Sequence, residues 1–270
     1  MVRQIRLIFI CIVISLWAHS QTDNHTNFLS FAIGTAVPVG QFSSTDNSSK
    51  LSGYAKVGET INFCLLHTLS KDFGLVATFY GQRNGINTNV LAEQYSKNRI
   101  PFYYGGGFNT YPNWIFDKKS WYVESFLLGV SKYFLSNPES RLSLNLKTQI
   151  GIVYAQLPKL NGSSKTDTSF VVTSQNSQST VGVSYLADIG ANCRVSKKLS
   201  LLFSITYFGT TTLKFKYVTQ TLAATNGGLN VPGVYSLANS RLPILAFSNS
   251  VANEQTIEVI NLNFGVRLSL

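Results

Sequence analysis

The sequence predicts an all-β fold, an eight-stranded antiparallel up-and-down transmembrane β-barrel with short periplasmic turns and long extracellular loops. Two observations support this expectation. Eight segments alternate apolar and polar side chains with a period of two, which is the pattern of a strand with one apolar and one polar face. The connections between these segments alternate between short turns and long loops, as they do in barrels that cross an outer membrane.

The composition favours strands over helices as the spanning elements. Charged residues make up 13% of the 270 residues and hydrophobic residues 44%. After residue 20, no segment approaches the roughly eighteen consecutive apolar residues that a spanning helix needs. A helical membrane protein is therefore not expected.

Residues 1–20 have the pattern of a secretory signal peptide. Arg3 and Arg6 precede the apolar run 7–17, and small residues follow at positions 18 and 20. An anchoring helix is the alternative, but a run of eleven residues is too short to cross a bilayer. We expect cleavage after residue 20, which leaves residues 21–270 as the barrel domain.

The first four predicted strands are 28–39, 54–69, 73–84 and 121–135. Pro38 ends the first strand, because proline cannot continue a ladder of hydrogen bonds. The outward, lipid-facing phase of these strands is formed mainly by Phe31, Ile33, Val37, Ile61, Phe63, Leu65, Phe73, Leu75, Phe79, Phe126, Leu128 and Val130.

The last four predicted strands are 142–155, 180–195, 199–217 and 256–270. The closing strand is the clearest, since Ile260, Leu262 and Phe264 alternate with Asn261 and Asn263. Elsewhere the outward phase is formed by Leu144, Leu146, Ile150, Ile152, Val183, Tyr185, Ile189, Cys193, Leu201, Phe203, Ile205 and Tyr207.

Long loops follow the odd-numbered strands and tight turns follow the even-numbered ones. This asymmetry predicts the outer membrane of a Gram-negative bacterium, with both chain ends in the periplasm. A soluble β-sandwich is the alternative, but its apolar face would lie inside and its loops would not sort in this way.

The net charge and the cysteine positions bear on two questions, nucleic-acid binding and disulfide formation. Without Arg3 and Arg6, the net charge of +10 falls to about +8, spread over turns, loops and the interior. We expect no nucleic-acid binding but attraction to outer-membrane lipid or lipopolysaccharide. Cys64 is predicted to face inward and Cys193 outward, so a disulfide between them is not expected.

The inward phase carries polar and charged residues that are candidates for a lumen network. An eight-stranded barrel is just wide enough for side chains to fill it, so a polar plug is favoured over a narrow, anion-preferring channel. The candidate residues of this network are Lys56, Lys147, Gln149, Asp188, Asn192, Arg194 and Arg267.

The long segment between the third and fourth strands is rich in aromatic residues. We favour packing of this segment over the barrel mouth, with contact to a membrane surface or a partner as the alternatives. The residues of this candidate surface-binding loop are Tyr103, Tyr104, Phe108, Tyr111 and Trp114.

Three segments carry a resemblance to a known group of proteins. These are FAIGTAVPVGQF at 31–42, YVESFLLGVSKYF at 122–134 and VINLNFGVRLSL at 259–270. With the signal peptide, they resemble the outer-membrane β-barrel domain proteins of Bacteroidetes, a group that includes PorT-like proteins and shares the OmpA-type eight-stranded architecture. The resemblance implies the fold and location and transfers no catalytic residue.

No catalytic, cofactor or metal site is predicted. His25 and His67 are the histidines after residue 20, and both fall at the periplasmic end, away from the outer leaflet where barrel enzymes acting on lipid A work. Two cysteines and two histidines on separate elements do not form a zinc site.

Three functions remain open at this stage. The first is a non-enzymatic barrel that displays loops for surface interaction or envelope integrity, assembled by the outer-membrane machinery. The second is a PorT-like accessory to protein secretion or transport. The third is a narrow channel or an enzyme of the outer leaflet.

Overall fold

A computed structural model describes residues 27–45, 52–70, 72–97, 100–101, 108–109, 113–134, 141–165, 169–226 and 245–270. The predicted signal peptide lies outside these residues. In chain order the elements are β1 (Asn27–Pro38), α1 (Gly40–Ser43), β2 (Ala55–Thr68), β3 (Phe73–Ile86), α2 (Thr88–Lys97), β4 (Ile100–Pro101), β5 (Phe108–Asn109), β6 (Ile115–Phe116), β7 (Ser120–Tyr133), β8 (Leu142–Leu157), β9 (Leu160–Lys165), β10 (Ser169–Gln175), β11 (Gln178–Arg194), β12 (Leu199–Thr210), β13 (Leu213–Asn226), β14 (Leu245–Gln255) and β15 (Glu258–Ser269).

Eight antiparallel strands close into a barrel in the order β1-β15-β12-β11-β8-β7-β3-β2. The first and last barrel strands complete the ring, with Phe31 opposite Val266 and Val37 opposite Ile260. The predicted eight-stranded up-and-down barrel is thereby confirmed, and each predicted strand overlaps one barrel strand. Closure removes the free sheet edges that an open sheet of this length would expose.

The seventh strand was predicted to end at residue 217, and this end is wrong. Barrel strand β12 stops at Thr210, and after Thr211 and Thr212 the chain enters β13, which pairs with β14 instead of a barrel strand. The alternation of apolar residues continues through this break, but Leu213 and Phe215, which are in phase with the exposed Phe203 and Ile205, are buried. Periodicity alone therefore did not reveal that the chain changes sheets.

The predicted long loops contain a second sheet. Strands β14-β13-β10-β9-β6 are antiparallel neighbours in this sheet. They lie in the predicted loops 85–120, 156–177 and 218–255, except that β13 begins at Leu213, within the predicted seventh strand. The β9–β10 hairpin follows β8 and leads into β11, so it extends the longest barrel hairpin beyond the barrel. We call this sheet together with α2 the cap.

Side chains sort on the barrel wall as expected of a membrane span. Outward residues such as Ile150 and Ile189 are 64% and 66% exposed, whereas inward residues such as Asn145 and Asn263 are buried. The apolar rows therefore face the surroundings, and the enclosed space is filled by side chains. Among the described residues, no helix is both long enough and apolar enough to span a membrane.

Candidate functional site

The middle of the lumen contains a buried ion pair, Lys147 with Asp188. Antiparallel pairing of β8 with β11 sets these two residues directly opposite each other. Lys147 Nζ lies 2.9 Å from Asp188 Oδ1, and Thr206 Oγ1 donates to Asp188 Oδ2 at 2.7 Å. Both side chains are almost fully enclosed, so each charge depends on the other for compensation.

Amides and hydroxyls extend this polar region across the lumen. Gln149 Nε2 donates to Thr78 Oγ1 at 2.9 Å, and Asn263 Nδ2 donates to Thr206 Oγ1 at 2.9 Å. A cavity of about 30 Å³ lies beside the ion pair. That volume holds one or two water molecules, about 10–15 Å³ each, and is too small for a solute path.

Five of the seven predicted network residues lie inside the barrel. Lys147, Gln149 and Asp188 belong to the polar region just described. Asn192 Nδ2 donates to Asn145 Oδ1 at 3.2 Å, nearer the turns. Arg267 is separate from the ion pair, because its guanidinium carbon lies 3.6 Å from the centroid of the Phe28 ring at the turn-side mouth.

Lys56 and Arg194 were predicted to belong to the lumen network, but both are exposed. This part of the prediction is wrong. The register of β2 against β3 shifts between Ala55 and Gly58, and such a bulge breaks the regular alternation at Lys56. Arg194 is the last residue of β11, where the strand reaches the open turn-side end.

The loop-side half of the lumen is closed by an apolar cluster that the sequence analysis missed. Tyr80 and Phe208 stack within it, with ring centroids 4.3 Å apart. We call this cluster the plug; its buried members are Phe42, Ala55, Tyr80, Ile86, Trp121, Val123, Leu127, Val153, Ala155, Leu157, Leu186, Phe208, Leu213, Phe215, Ile257 and Val259. The available signal was apolar residues on the inward phase near the loop ends, such as Val123 and Val259.

The aromatic loop is only partly described. Tyr103, Tyr104 and Tyr111 lie outside the described residues, and Phe108 is described only as part of the backbone of β5. Trp114 is 4% exposed and packs in the cap, with its ring 5.3 Å from that of Tyr95. Trp114 therefore supports the cap and does not present a surface to a partner.

A second cavity, of about 180 Å³, lies between the barrel mouth and the cap. Its barrel side includes Ile86, Trp121 and Leu157, and its cap side includes Tyr95 and Phe116. Burial raises the pKa of the Tyr95 phenol above its usual range, and a hydrogen bond with Thr173 partly offsets this. The phenol is consequently neutral at physiological pH.

Metal ligands do not cluster in the part of the chain that the structure describes. Those residues contain no group of three or more His, Cys, Asp or Glu side chains suited to a metal ion. His67 lies near the turn-side end, where its Nδ1 is 2.7 Å from Asn27 Oδ1. Cys64 is buried and Cys193 exposed, and both are free thiols, as predicted.

The side chains on the outer surface of the barrel indicate the environment in which the barrel resides. Apolar residues cover the middle of every barrel strand, and Tyr122, Tyr185 and Tyr207 lie outward toward the loop end, while Phe73 and Phe134 lie toward the turns. A closed barrel with an apolar outer band, flanking aromatic residues and short turns at one end has the architecture of outer-membrane barrels. The protein is an outer-membrane β-barrel.

Comparison with solved structures finds other barrels of this kind. A major outer membrane protein of Thermus thermophilus is 10% identical with a TM-score of 0.42, and the match covers 92% of this chain and 100% of the other. Neisserial surface protein A is 10% identical at a TM-score of 0.36, covering 91% and 99%. The N-terminal β-barrel domain of Pseudomonas aeruginosa OprF is 9% identical at 0.36, covering 90% and 97%.

No protein-family model and no curated protein matches the chain. The three structural likenesses are too distant to carry functional information. The fold assignment rests on the closed strand order of the barrel itself.

Proposed function

We propose that this outer-membrane barrel is a non-enzymatic scaffold whose filled lumen rigidly supports a folded cap for contact with molecules outside the cell. The observation that carries the proposal is the closure of the lumen. The Tyr80–Phe208 stack spans it within the plug, and the Lys147–Asp188 ion pair occupies its middle. A barrel filled in this way has no continuous path for solutes, which favours display over transport.

The cap supports the same proposal, because it is folded and anchored to the barrel. Leu213 and Phe215 at the start of β13 are buried in the plug, and Trp121 packs edge-on against Phe215 at 6.0 Å. Loops that bind partners are most effective when a rigid scaffold positions them.

Lipid contact is a further part of the proposal. Arg83 lies 3.7 Å from Glu59 and 5.5 Å from the Tyr122 ring, on the outward face toward the loops. A cation and tyrosines at this height suit the phosphate and sugar level of the outer leaflet, where lipopolysaccharide is the partner we propose. The barrel fold supports a second proposed partner, the outer-membrane assembly machinery, and nucleic acid is not proposed as a partner.

Kinship with the Bacteroidetes barrels, including the PorT-like group, is also a proposal. It rests on the three segments 31–42, 122–134 and 259–270. In this chain the first of them forms β1 and α1 and delivers Phe42 into the plug. This kinship favours a secretion accessory as the second candidate function.

A deletion strain separates these functions when it is complemented with either of two forms. One is the full chain, and the other replaces residues 158–177 with a two-residue Asn-Gly turn. Leu157 and Gln178 are paired, so a tight turn can join β8 to β11 without disturbing the barrel. A shift in gel mobility on heating verifies that the shortened barrel folds.

We expect the full chain, and not the form without β9 and β10, to restore surface contact and resistance to large antibiotics. Restoration by the form without β9 and β10 would overturn a role for this part of the cap. Loss of protein secretion as the sole defect of the deletion strain would favour the accessory function. Altered lipid A mass spectra in that strain would indicate an enzyme.

A further inference from the structure

The cavity between the barrel mouth and the cap is lined by rings that their neighbours hold in place. Trp121 Nε1 donates to the Gly53 carbonyl at 3.1 Å, and Phe42 packs edge-on against the Trp121 ring at 5.6 Å. On the cap side, the Tyr95 and Phe116 rings meet edge-to-face at 5.1 Å. The aromatic walls are therefore preorganised, which lowers the entropic cost of binding.

Hydrogen-bonding groups lie between these rings. Gln255 is 1% exposed, and its Nε2 donates to the Thr256 carbonyl at 2.9 Å. Gln255 also borders the cavity, and its Oε1 can accept a hydrogen bond from a ligand hydroxyl. The Tyr95–Thr173 hydrogen bond adds two hydroxyl oxygens to the lining.

The lining is uncharged. No Asp, Glu, Lys, Arg or His side chain is among the described residues that border the cavity. A charged ligand would lose its hydration without meeting an opposite charge, which is strongly unfavourable. A pure hydrocarbon would cover the Gln255 amide oxygen without donating a hydrogen bond to it, which is also unfavourable.

Volume limits the size of the ligand. An engineered apolar cavity of about 150 Å³ is known to bind benzene, so the volume of about 180 Å³ here suits one six-membered ring with substituents. Two linked rings would not fit.

We propose that this cavity is a binding site for a single uncharged sugar ring. The faces of such a ring are C–H surfaces that pack on aromatic side chains, and its hydroxyl edge matches Gln255, Tyr95 and Thr173. The site goes beyond the proposed scaffold function and depends only on the fold. Absence of sugar binding would leave the complementation experiment with the form that lacks β9 and β10 unaffected.

The test is calorimetric titration of the purified full chain, folded in detergent, with glucose, galactose, mannose and N-acetylglucosamine. Glucuronate and glucosamine supply the same ring with a charge, and benzene supplies a ring without hydroxyls. We expect saturable binding of at least one neutral sugar with a dissociation constant on the order of millimolar, as suits so small a ligand. Glucuronate and glucosamine should each bind at least about tenfold more weakly than that neutral sugar.

Neighbouring residues of β6 provide matched variants. Phe116 is 8% exposed and lines the cavity, whereas Ile115 is 73% exposed and does not. Phe116→Ala should weaken binding about tenfold, and Ile115→Ala should leave it unchanged. Gln255→Leu gives an independent test that removes the acceptor and keeps the aromatic walls. Each variant is checked for folding by its gel mobility with and without heating.

Three results would overturn the proposal. The first is the absence of saturable binding by any neutral sugar at concentrations well above the expected dissociation constant. The second is benzene or a charged sugar binding more tightly than the neutral sugars. The third is equal sugar binding by the wild type, the Gln255→Leu variant and every folded Phe116→Ala sample, which would place the sugar elsewhere.

Discussion

Tyr80 and Phe208 stack almost face to face across the lumen, with ring centroids 4.3 Å apart and planes inclined by 14°. Their strands, β3 and β12, lie four places apart in the eight-stranded ring and so form opposite walls. Tyr80 also accepts a hydrogen bond from Asn261 Nδ2 at 3.1 Å, which ties a third strand to the stack. This contact between opposite walls obstructs the barrel between its polar middle and its loop-side end.

The stack predicts the electrical behaviour of the protein. In planar bilayers we expect no steady conductance from the wild type. The double variant Tyr80→Ala/Phe208→Ala should also stay silent, because the Lys147–Asp188 region still fills the middle of the lumen when the stacked rings are removed. The lipid-facing double variant Phe79→Ala/Phe203→Ala is the matched control and should stay silent. A conducting wild type would contradict the filled-lumen interpretation.

Breaking the buried ion pair from one side should be costly. Lys147→Met leaves Asp188 as an uncompensated charge, and we expect a loss of about 3–5 kcal/mol in the free energy of unfolding. Lys147→Met/Asp188→Leu should recover most of this loss, because the double variant leaves no buried charge. Urea unfolding in lipid vesicles measures both.

An exposed ion pair provides the control for this prediction. Lys97 and Glu93 are an i, i+4 pair on α2, and both side chains are solvent-exposed. Lys97→Met should therefore produce no measurable change in stability, since water screens such a pair. A single-variant loss at Lys147 no larger than at Lys97 would show that the lumen pair is hydrated.

Equally exposed isoleucines should respond differently to arginine. Ile150 is 64% exposed in the middle of a barrel strand, and Ile115 is 73% exposed on the cap. Ile150→Arg should cost about 2–4 kcal/mol, because the guanidinium would enter hydrocarbon. Ile115→Arg should change stability by less than about 0.5 kcal/mol in water. Equal losses of stability for the two variants in the same unfolding assay would show that both residues face the same solvent. That result would contradict the lipid-facing position of Ile150.

The backbone of Gly40 has a conformation that other residues avoid, and Gly40 starts the short helix that carries Phe42 into the plug. Its φ is +57°, and it begins α1, which places Phe42 in the barrel mouth. Gly40→Ala should lower stability by about 1–2 kcal/mol, because a Cβ is strained in this left-handed conformation. Gly85→Ala is the control, since nothing lies within 4 Å of an added Cβ there. A Gly85→Ala variant as unstable as Gly40→Ala would argue against backbone strain as the cause.

The sequence predicted the face of most residues but not their partners. Alternation placed Ile150 outward and Lys147 inward, and it failed at Lys56, where the bulge between Ala55 and Gly58 breaks the phase. Lys214 belongs to the predicted seventh strand, but it is exposed and pairs with Glu254 at 3.4 Å in the second sheet. Apolar residues that repeat every second position show which residues share a face of a strand. They do not show to which sheet the strand belongs.

The sequence by itself determined the eight strands, the inside-out placement of apolar residues and the sorting of turns from loops. These features follow from local pattern, because neighbouring residues on a strand must point to opposite faces. Only the tertiary structure decided that the loop-side lumen is apolar, that the loops fold into a cap, and that Tyr80 meets Phe208. The physical reason is that closing the ring brings together residues more than a hundred positions apart, and no local period records that distance.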